Sequence, residues 1–524
     1  MSKSEHNFVF TLKLSILLYI FLFLSTNVLY LREEIGMNIS RFVLISVIDL
    51  ILNICITFLL TSFNKIVIYI YSVFISLIGF INYWTVSITN KRFALNDIFL
   101  AKAAMNNLTE IHIKFLQIVY FIVLILLSTL ICYFIHKYDY KKMSIKATIF
   151  RIVFSFGLIV YVIFQLRSSS FLSYQIKNSK YLYSETVYMV ESFNYLKQPD
   201  NYNENLKIIK EKENKKIETT KNGSPIIIQV MSEALADFDN VEYMPYTRTI
   251  ESGRVKTNIW GNKTVVSELE SLTGISTDVL KTDGTNIYNS RLNTNMDSTI
   301  SILKKNGYKT VGIHPYTSTS YDRGSKWETL GFDEVEFFDS FKNSTYVRDY
   351  ISDQSFFNQI LKTVNENQDT PLYIYGITIQ NHAGFNDENF KNTEKLGSQE
   401  LSQYLSLQNI TDNAFKDFVE ELKKQDREVI LLYYGDHQPM LGDSDYKILN
   451  VKDKYEVPYV LWSNKRKLDT PKNTRMCYLP TLLLKSANIP LDSWFDNLDK
   501  LSNNDSDLTT DKLYSSWCYY QLKK

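Results

Sequence analysis

Long apolar runs in the first third of the chain constrain its fold more than any other feature. Five of them, over 8–30, 43–63, 66–88, 115–135 and 147–166, are each about twenty mostly apolar residues, the length a helix needs to cross the hydrocarbon core of a bilayer. In lipid the backbone must satisfy its own polar groups, so runs of this kind are helices. The first is longer than a signal-peptide core and no small-residue cleavage site follows it, so it reads as a retained span. Arg151, near one end of the fifth, is placed to snorkel to the interface.

Five spans put the two ends of the chain on opposite sides of the membrane. The loop holding Lys137, Lys141, Lys142 and Lys146 is basic and reads as cytoplasmic, which sends everything after the fifth span outside. Lys91, Arg92, Lys102 and Lys114 count against this topology. They fall in a loop it places outside, where 97–105 is an amphipathic stretch suited to the interface. The expected organisation is a membrane domain over 1–166, a connector over 167–222 and a soluble domain over 223–524. The connector ends in a charged run, 207–221, of the kind usually found as solvated linker. Net charge of +1 argues against a nucleic-acid partner. Of the four cysteines, Cys55 and Cys132 lie in spans, whereas Cys477 and Cys518 lie in the soluble domain and are candidates for a disulfide.

From 224 onward short β-branched runs alternate with helical patterns. Strands are expected over 225–231, 309–313, 372–378, 428–434 and 457–462, with the clearest helices over 400–424 and 479–487. This alternation implies a largely parallel sheet covered on both faces, with functional groups gathered beyond the carboxyl ends of the strands. The residues just past those strands are polar: Glu233 after the first, His314 after the second, His382 after the third, and Asp436 with His437 after the fourth. Three of the six histidines therefore stand at strand ends, beside two carboxylates.

Between the first two of these strands lies Trp260-Gly261-Asn262-Lys263-Thr264, a glycine-containing turn that opens an apparent helix near 265. The first N–H groups of a helix favour negative charge, and threonine there is commonly an N-cap. A metal would instead make its hydroxyl a nucleophile. Glu233, Asp436, His437 and the Thr264 hydroxyl form a set of three oxygen ligands and one nitrogen. That mixture suits a divalent cation such as Mn²⁺ or Zn²⁺ better than Mg²⁺, which avoids imidazole. His382 or His314 is available to hold a phosphate oxygen or protonate a leaving alcohol. Arg323 carries a planar donor suited to phosphate, and is also a residue type common in surface turns.

The order Ser-Glu-Ala after a first strand, Asn-Lys-Thr-(x)₃-Glu-(x)₃-Leu-Thr-Gly, Asn-His-(x)₂-Phe and Tyr-Gly-Asp-His resembles the lipoteichoic acid synthase family. These are phosphoglycerol transferases of the alkaline phosphatase/sulfatase superfamily, also built as five spans followed by an extracellular α/β domain. The resemblance implies that Glu233, Thr264, Asp436 and His437 bind Mn²⁺ (Zn²⁺ or Mg²⁺ being alternatives) and that Thr264 is also the nucleophile. It implies that His382 contacts the transferred group. Arg323 and Trp327 look like members of the substrate loop, although the spacing around them departs from the family pattern. The implied activity moves glycerol phosphate from phosphatidylglycerol, through a threonine-linked intermediate, to a surface polymer or glycolipid acceptor outside a bacterial cell membrane. A phosphoethanolamine transferase of the same superfamily and a non-catalytic membrane sensor with the same fold are the alternatives.

Overall fold

The structure, a computed structural model, describes residues 3–27, 39–63, 65–89, 115–137, 145–168, 198–213, 224–250, 252–280, 288, 291–503 and 507–524. It divides into two compact units, Met1–Asn194 and Tyr195–Lys524.

In the first unit each of the five apolar runs is helical: Lys3–Asn27, Ile39–Leu60, Lys65–Thr89, Phe115–Lys137 and Ile145–Ser168. Among the described residues, four of these helices are long and apolar enough to cross a membrane, and the apolar part of the second is the shorter Ser46–Leu60. Lipid is as apolar as leucine, so helices in it associate through close packing and polar contacts. Leu14, Leu18, Ile68, Ile75, Leu124 and Ile131 accordingly interlock, and the Ser72 and Ser128 hydroxyls lie 3.0 Å apart. Arg151, near one end of the fifth helix, has polar partners on its neighbours. Its guanidinium donates to the Thr11 and Thr61 hydroxyls at 3.2 and 3.3 Å and lies over the Phe58 ring, because a charge among apolar helices takes the nearest polar partners. The loop 91–114, with its amphipathic stretch, lies outside the described residues.

Among the described residues of the second unit, eight strands form one mixed sheet in the order β10-β2-β9-β8-β1-β7-β3-β4. In chain order these are β1 Ile226–Ser232, β2 Ser252–Lys256, β3 Lys309–Ile313, β4 Glu334–Glu336, then, after a separate two-stranded hairpin (β5 Tyr346–Val347 and β6 Tyr350–Ile351), β7 Leu372–Ile377, β8 Val429–Gly435, β9 Glu456–Ser463 and β10 Asn473–Arg475. The centre, β8-β1-β7-β3, is parallel. The expected strand over 457–462 is β9, but it runs antiparallel to β8 and β2, so the sheet is mixed rather than nearly all parallel. The return from β8 to β9 carries the six-residue helix Asp443–Ile448, shorter than the crossover helix that a parallel connection usually needs.

Alternate residues of β1 feed two cores. Ile226, Ile228 and Val230 pack with Phe356, Phe357, Phe415 and Phe418, on helices Asp353–Glu366 and Gln399–Lys423. Ile227 and Met231 pack on the other face with Val265, Leu269, Leu479 and Leu483, on helices Thr264–Thr273 and Leu479–Ser486. Both faces are covered, which is why the central strands read as unbroken apolar runs.

Part of the charged run expected to be solvated linker is a docked helix, Tyr202–Glu213. Ile209 is fully buried, Asn205 donates to the Lys512 carbonyl and the Ser516 hydroxyl at 3.0 and 2.9 Å, and Tyr520 donates to Glu213 at 2.8 Å. A single apolar stripe suffices to dock it while the charges stay in water. Cys477 and Cys518 are buried free thiols.

Candidate active site

Register places the first two acidic groups. In the parallel pair β1–β8 the last rung is Ser232↔Gly435, so Glu233 and Asp436 leave adjacent strands side by side at their carboxyl ends. The end of β8 can pass this close to the loop after β1 only at glycine: a Cβ on Gly435 would stand 2.2 Å from the Leu235 carbonyl oxygen. One carboxylate oxygen of Asp436, Oδ1, accepts the backbone N–H groups of Ala234 and His437, each at 2.8 Å. This leaves Oδ2 directed inward.

His437 Nδ1 lies 2.9 Å from the Gln438 carbonyl oxygen, so Nδ1 is assigned the proton and Nε2 presents a lone pair. That lone pair stands 3.1 Å from Asp436 Oδ2 and 3.8 Å from Glu233 Oε1. All three groups are buried, and Asp436 Oδ2 has no hydrogen-bond partner among the described residues. Three electron-rich atoms thus converge within 4.8 Å of one another. Burial, and then the Asp436 carboxylate, push the Glu233 carboxyl well above its ordinary range, offset in part by the Arg323 charge and a hydrogen bond from Thr264. An orphaned buried oxygen beside a second carboxylate and an imidazole lone pair fits a divalent cation.

Thr264 completes the cluster through that bond to Glu233. The structure corrects its expected position at the helix boundary. Lys263 is the N-cap, in a left-handed conformation and without a side-chain cap, and Thr264 is the first helical residue. Its hydroxyl is therefore not spent on capping. The preceding turn needs Gly261, whose φ is +74° and whose Cβ would lie 3.1 Å from that of Met440; its N–H donates to the Gln438 carbonyl. The same turn thus ties the Thr264 loop to the His437 loop.

His382, after β7, is solvent-exposed as a residue, but its Nδ1 is covered by the Tyr350 hydroxyl at 3.1 Å. Enclosure of the ring by the protein, and then the Arg348 charge, hold its imidazole below the usual value. Arg348 pins the loop by donating to the carbonyls of Gln380 and His382 at 2.8 Å and of Gly384 at 3.0 Å. Beneath it Asn381 donates to Thr411, which donates to Asp353, a buried carboxyl raised to about 7.

His314 and Trp327 do not line the cleft as expected. His314 is 1% exposed, with Nδ1 2.9 Å from the Ile377 carbonyl and Nε2 3.2 Å from Arg323 Nη1. Burial, and then Arg323, hold its imidazole well below the ordinary value. With both nitrogens engaged and no charge to give up, it is not the acid. Trp327 is fully buried, stacked on Phe337, and donates its indole N–H to Glu268. Arg323 is not a surface turn residue either, its side chain being 3% exposed and paired with Glu268 at 3.0 Å. Sequence reasoning quoted Glu268 in the Thr264 motif without giving it a role, and passed over Arg348 and Tyr350. A carboxylate among Val265, Leu269 and Leu272 was a signal for the first, whereas the two-residue turn joining β5 to β6 offered none of the usual Asn-Gly chemistry.

A parallel-centred α/β sheet with a hydroxyl at a helix N-terminus, facing two carboxylates and an imidazole at the strand ends, defines an alkaline-phosphatase-type domain. Residues 225–483, just under half of the chain, match the Sulfatase family model, which makes that segment a domain of the alkaline phosphatase/sulfatase superfamily. The chain is similar to a Rhizobium meliloti protein provisionally described as a cyclic beta-1,2-glucan modification protein, 27% identical over 283 residues, covering 47% of this chain and 43% of the relative. It is also similar to a capsular polysaccharide biosynthesis protein of that organism, 25% identical, covering 42% of each. The chain thus spans less than half the length of these two relatives. Among solved structures, a Streptococcus pyogenes phosphoglycerol transferase in complex with sn-glycerol-1-phosphate is 19% identical with a TM-score of 0.48, covering 63% of this chain and 94% of the other. The Neisseria meningitidis integral membrane lipooligosaccharide phosphoethanolamine transferase A is 15% identical with a TM-score of 0.55, covering 95% of this chain and 98% of the other. At that identity the likeness is one of fold, and it extends over the apolar helices as well as the soluble domain.

Proposed function

We propose that this chain is a membrane-anchored transferase that moves glycerol phosphate from phosphatidylglycerol to a cell-surface polymer or glycan, by way of a phosphodiester on Thr264. The observation that carries this reading is the convergence of the Thr264 hydroxyl with Glu233, Asp436 Oδ2 and His437 Nε2 at a helix N-terminus. On this reading 1–166 anchors the protein in a bacterial cell membrane, 167–222 connects, and 223–524 is the catalytic domain on the outer side, where its lipid donor is concentrated. The Rhizobium meliloti relative described by glucan modification supports a glycan as acceptor.

Glu233, Thr264, Asp436 and His437 are the residues that hold a divalent cation, Mn²⁺ first, with Zn²⁺ or Mg²⁺ as alternatives. When bound, it offsets the two carboxylates and lowers the pKa of a hydroxyl beside it. Thr264 Oγ1 forms the bond to phosphorus as the bond from phosphorus to the diacylglycerol oxygen breaks. With Nδ1 against the Tyr350 hydroxyl, the neutral His382 ring holds a phosphoryl oxygen through its Nε2–H, and the departing oxygen takes its proton from solvent. The proton Thr264 gives up balances the one diacylglycerol gains. In the second half an acceptor hydroxyl attacks the same phosphorus and Thr264 leaves, the acceptor's proton balancing the one Thr264 regains. Helix N–H groups and Arg323 face the charge that develops on the phosphoryl oxygens.

Intact-mass analysis of the purified full-length protein with Mn²⁺ and phosphatidylglycerol tests this. The expected result is a gain of one glycerophosphate on the Thr264 peptide, absent in Thr264→Ala. Free diacylglycerol without an adduct in both proteins would rule out Thr264 as nucleophile. The full-length fold shared with a phosphoethanolamine transferase favours a second head group as the alternative, and an adduct formed only from phosphatidylethanolamine would select it. No adduct or product from either lipid would point to a non-catalytic role.

A further inference from the structure

Glu268 lies four residues beyond Thr264, so both side chains leave the same face of one helix. It is 0% exposed, and a buried carboxylate is tolerated only where it is paired and hydrogen-bonded. Its oxygens are fully subscribed. Oε2 accepts Arg323 Nε at 3.0 Å, and Oε1 accepts Trp327 Nε1 at 2.6 Å and the Tyr288 hydroxyl at 2.8 Å. Packing alone does not call for a charge here, since the neighbours Val265, Leu269 and Leu272 belong to the apolar core.

The consequence falls on Arg323. One edge of its guanidinium is held by Glu268. The next nitrogen, Nη1, is 3.2 Å from His314 Nε2, an acceptor because His314 Nδ1 donates to the Ile377 carbonyl. The remaining nitrogen, Nη2, has no hydrogen-bond partner among the described residues. Glu268 stands one helical turn beyond Thr264 and His314 follows β3 at the same carboxyl edge of the sheet where Glu233 follows β1, so the guanidinium bonded to both lies at the strand-end side of the cleft. A flexible side chain fixed on two edges loses little further freedom when it binds an anion with the third.

We propose that Glu268 is a positioning residue that locks Arg323 so that its Nη2 edge is presented to a phosphoryl oxygen of the substrate, tied to the same helix that carries Thr264. This rests on the transferase reading above. The carboxylate offsets the buried cation, His314 fixes its rotation, and the helix sets its distance from the nucleophile.

The test measures kcat and KM for adduct formation in full-length Glu268→Gln, Glu268→Asp, Arg323→Lys and the Glu268→Gln/Arg323→Lys double variant, with thermal midpoints alongside. Loss of a charge-assisted bond predicts a fall of about 10- to 100-fold in kcat/KM for Glu268→Gln. Glu268→Asp keeps the charge but withdraws it by one methylene, and is expected to fall between wild type and Glu268→Gln. The double variant is expected to lose no more than the worse single variant, since both act through one group. Tyr288→Phe leaves the Arg323 bond in place and is expected to stay within about threefold of wild type. Wild-type kcat/KM in Glu268→Asp, or losses that multiply in the double variant, would overturn the proposal. The first result can be read even if Glu268→Gln does not fold, because it needs only the Asp variant. If wild type forms no adduct with any lipid, the transferase reading fails separately. Calorimetric binding of sn-glycerol-1-phosphate in Mn²⁺ then decides on Glu268, and affinity unchanged in Glu268→Asp refutes it.

Discussion

Asp436→Asn is expected to make the metal-free protein more stable while abolishing its response to metal. The Glu233 and Asp436 ligand oxygens lie within 4.8 Å of each other, and two like charges at that separation repel by about 3 kcal/mol at an effective dielectric of about 20. Asparagine removes one charge and keeps Oδ1 as acceptor for the Ala234 and His437 N–H groups. Its Nδ2 takes the place of Oδ2, 3.1 Å from the His437 Nε2 lone pair, where it donates a hydrogen bond.

The sign comes from Glu233, whose carboxyl is raised in the folded protein by burial and by Asp436. A carboxyl raised on folding contributes stability below its unfolded value and loses it as pH rises through the folded value. Wild-type protein in chelator should therefore lose stability from about pH 4.5 upward, and the variant should lose less. At about pH 8 the gap is about 3 kcal/mol, or roughly 5–10 °C in thermal midpoint. Mn²⁺ at 100 times its dissociation constant should stabilise wild type by about 2.7 kcal/mol and the variant hardly at all. Thermal melts of the detergent-solubilised chain from pH 5 to 9, with chelator or Mn²⁺, read all of this. A variant less stable than wild type in chelator at pH 8, or Mn²⁺ raising both midpoints equally, would refute the reasoning.

Local geometry sets two further outcomes. Gly261→Ala places a side chain at φ +74° and within 3.1 Å of Met440, so it should cost about 1–3 kcal/mol and slow adduct formation at Thr264 more than it lowers the melting point; unchanged kinetics would show that the turn does not position the nucleophile. Cys477 and Cys518 are fully buried, with burial raising the first thiol well above its usual value and pushing the second up to about 12. Neither should react with iodoacetamide at pH 8 until denaturant is added, and native labelling would contradict their burial.

Much of the site was legible because catalysis in an open α/β sheet takes place at strand ends, and strands buried on both faces advertise themselves as apolar runs. Glu233, Asp436 and His437 could be picked out as the first polar residues after β1 and β8, and the Ser232↔Gly435 rung is what then brings them together. The histidines were not separable in this way. His314 and His382 come after strands of similar pattern, yet one is sealed between the Ile377 carbonyl and Arg323 and the other faces solvent against Tyr350. Trp327 read as a ligand-contacting aromatic and is instead a core residue, since an indole is as well suited to one as to the other.

Sequence alone determined the division into apolar helices and an α/β domain, because hydrophobic run length and period are local properties of the chain. It also determined which residues stand just past the central strands. Tertiary structure alone decided that β9 turns back antiparallel, that Thr264 is free of capping duty, and that Glu268 holds Arg323 across 55 positions of chain. Those depend on strand register and on which buried polar group finds which partner, and long-range pairing of that kind has no signature in the spacing of residues along the chain.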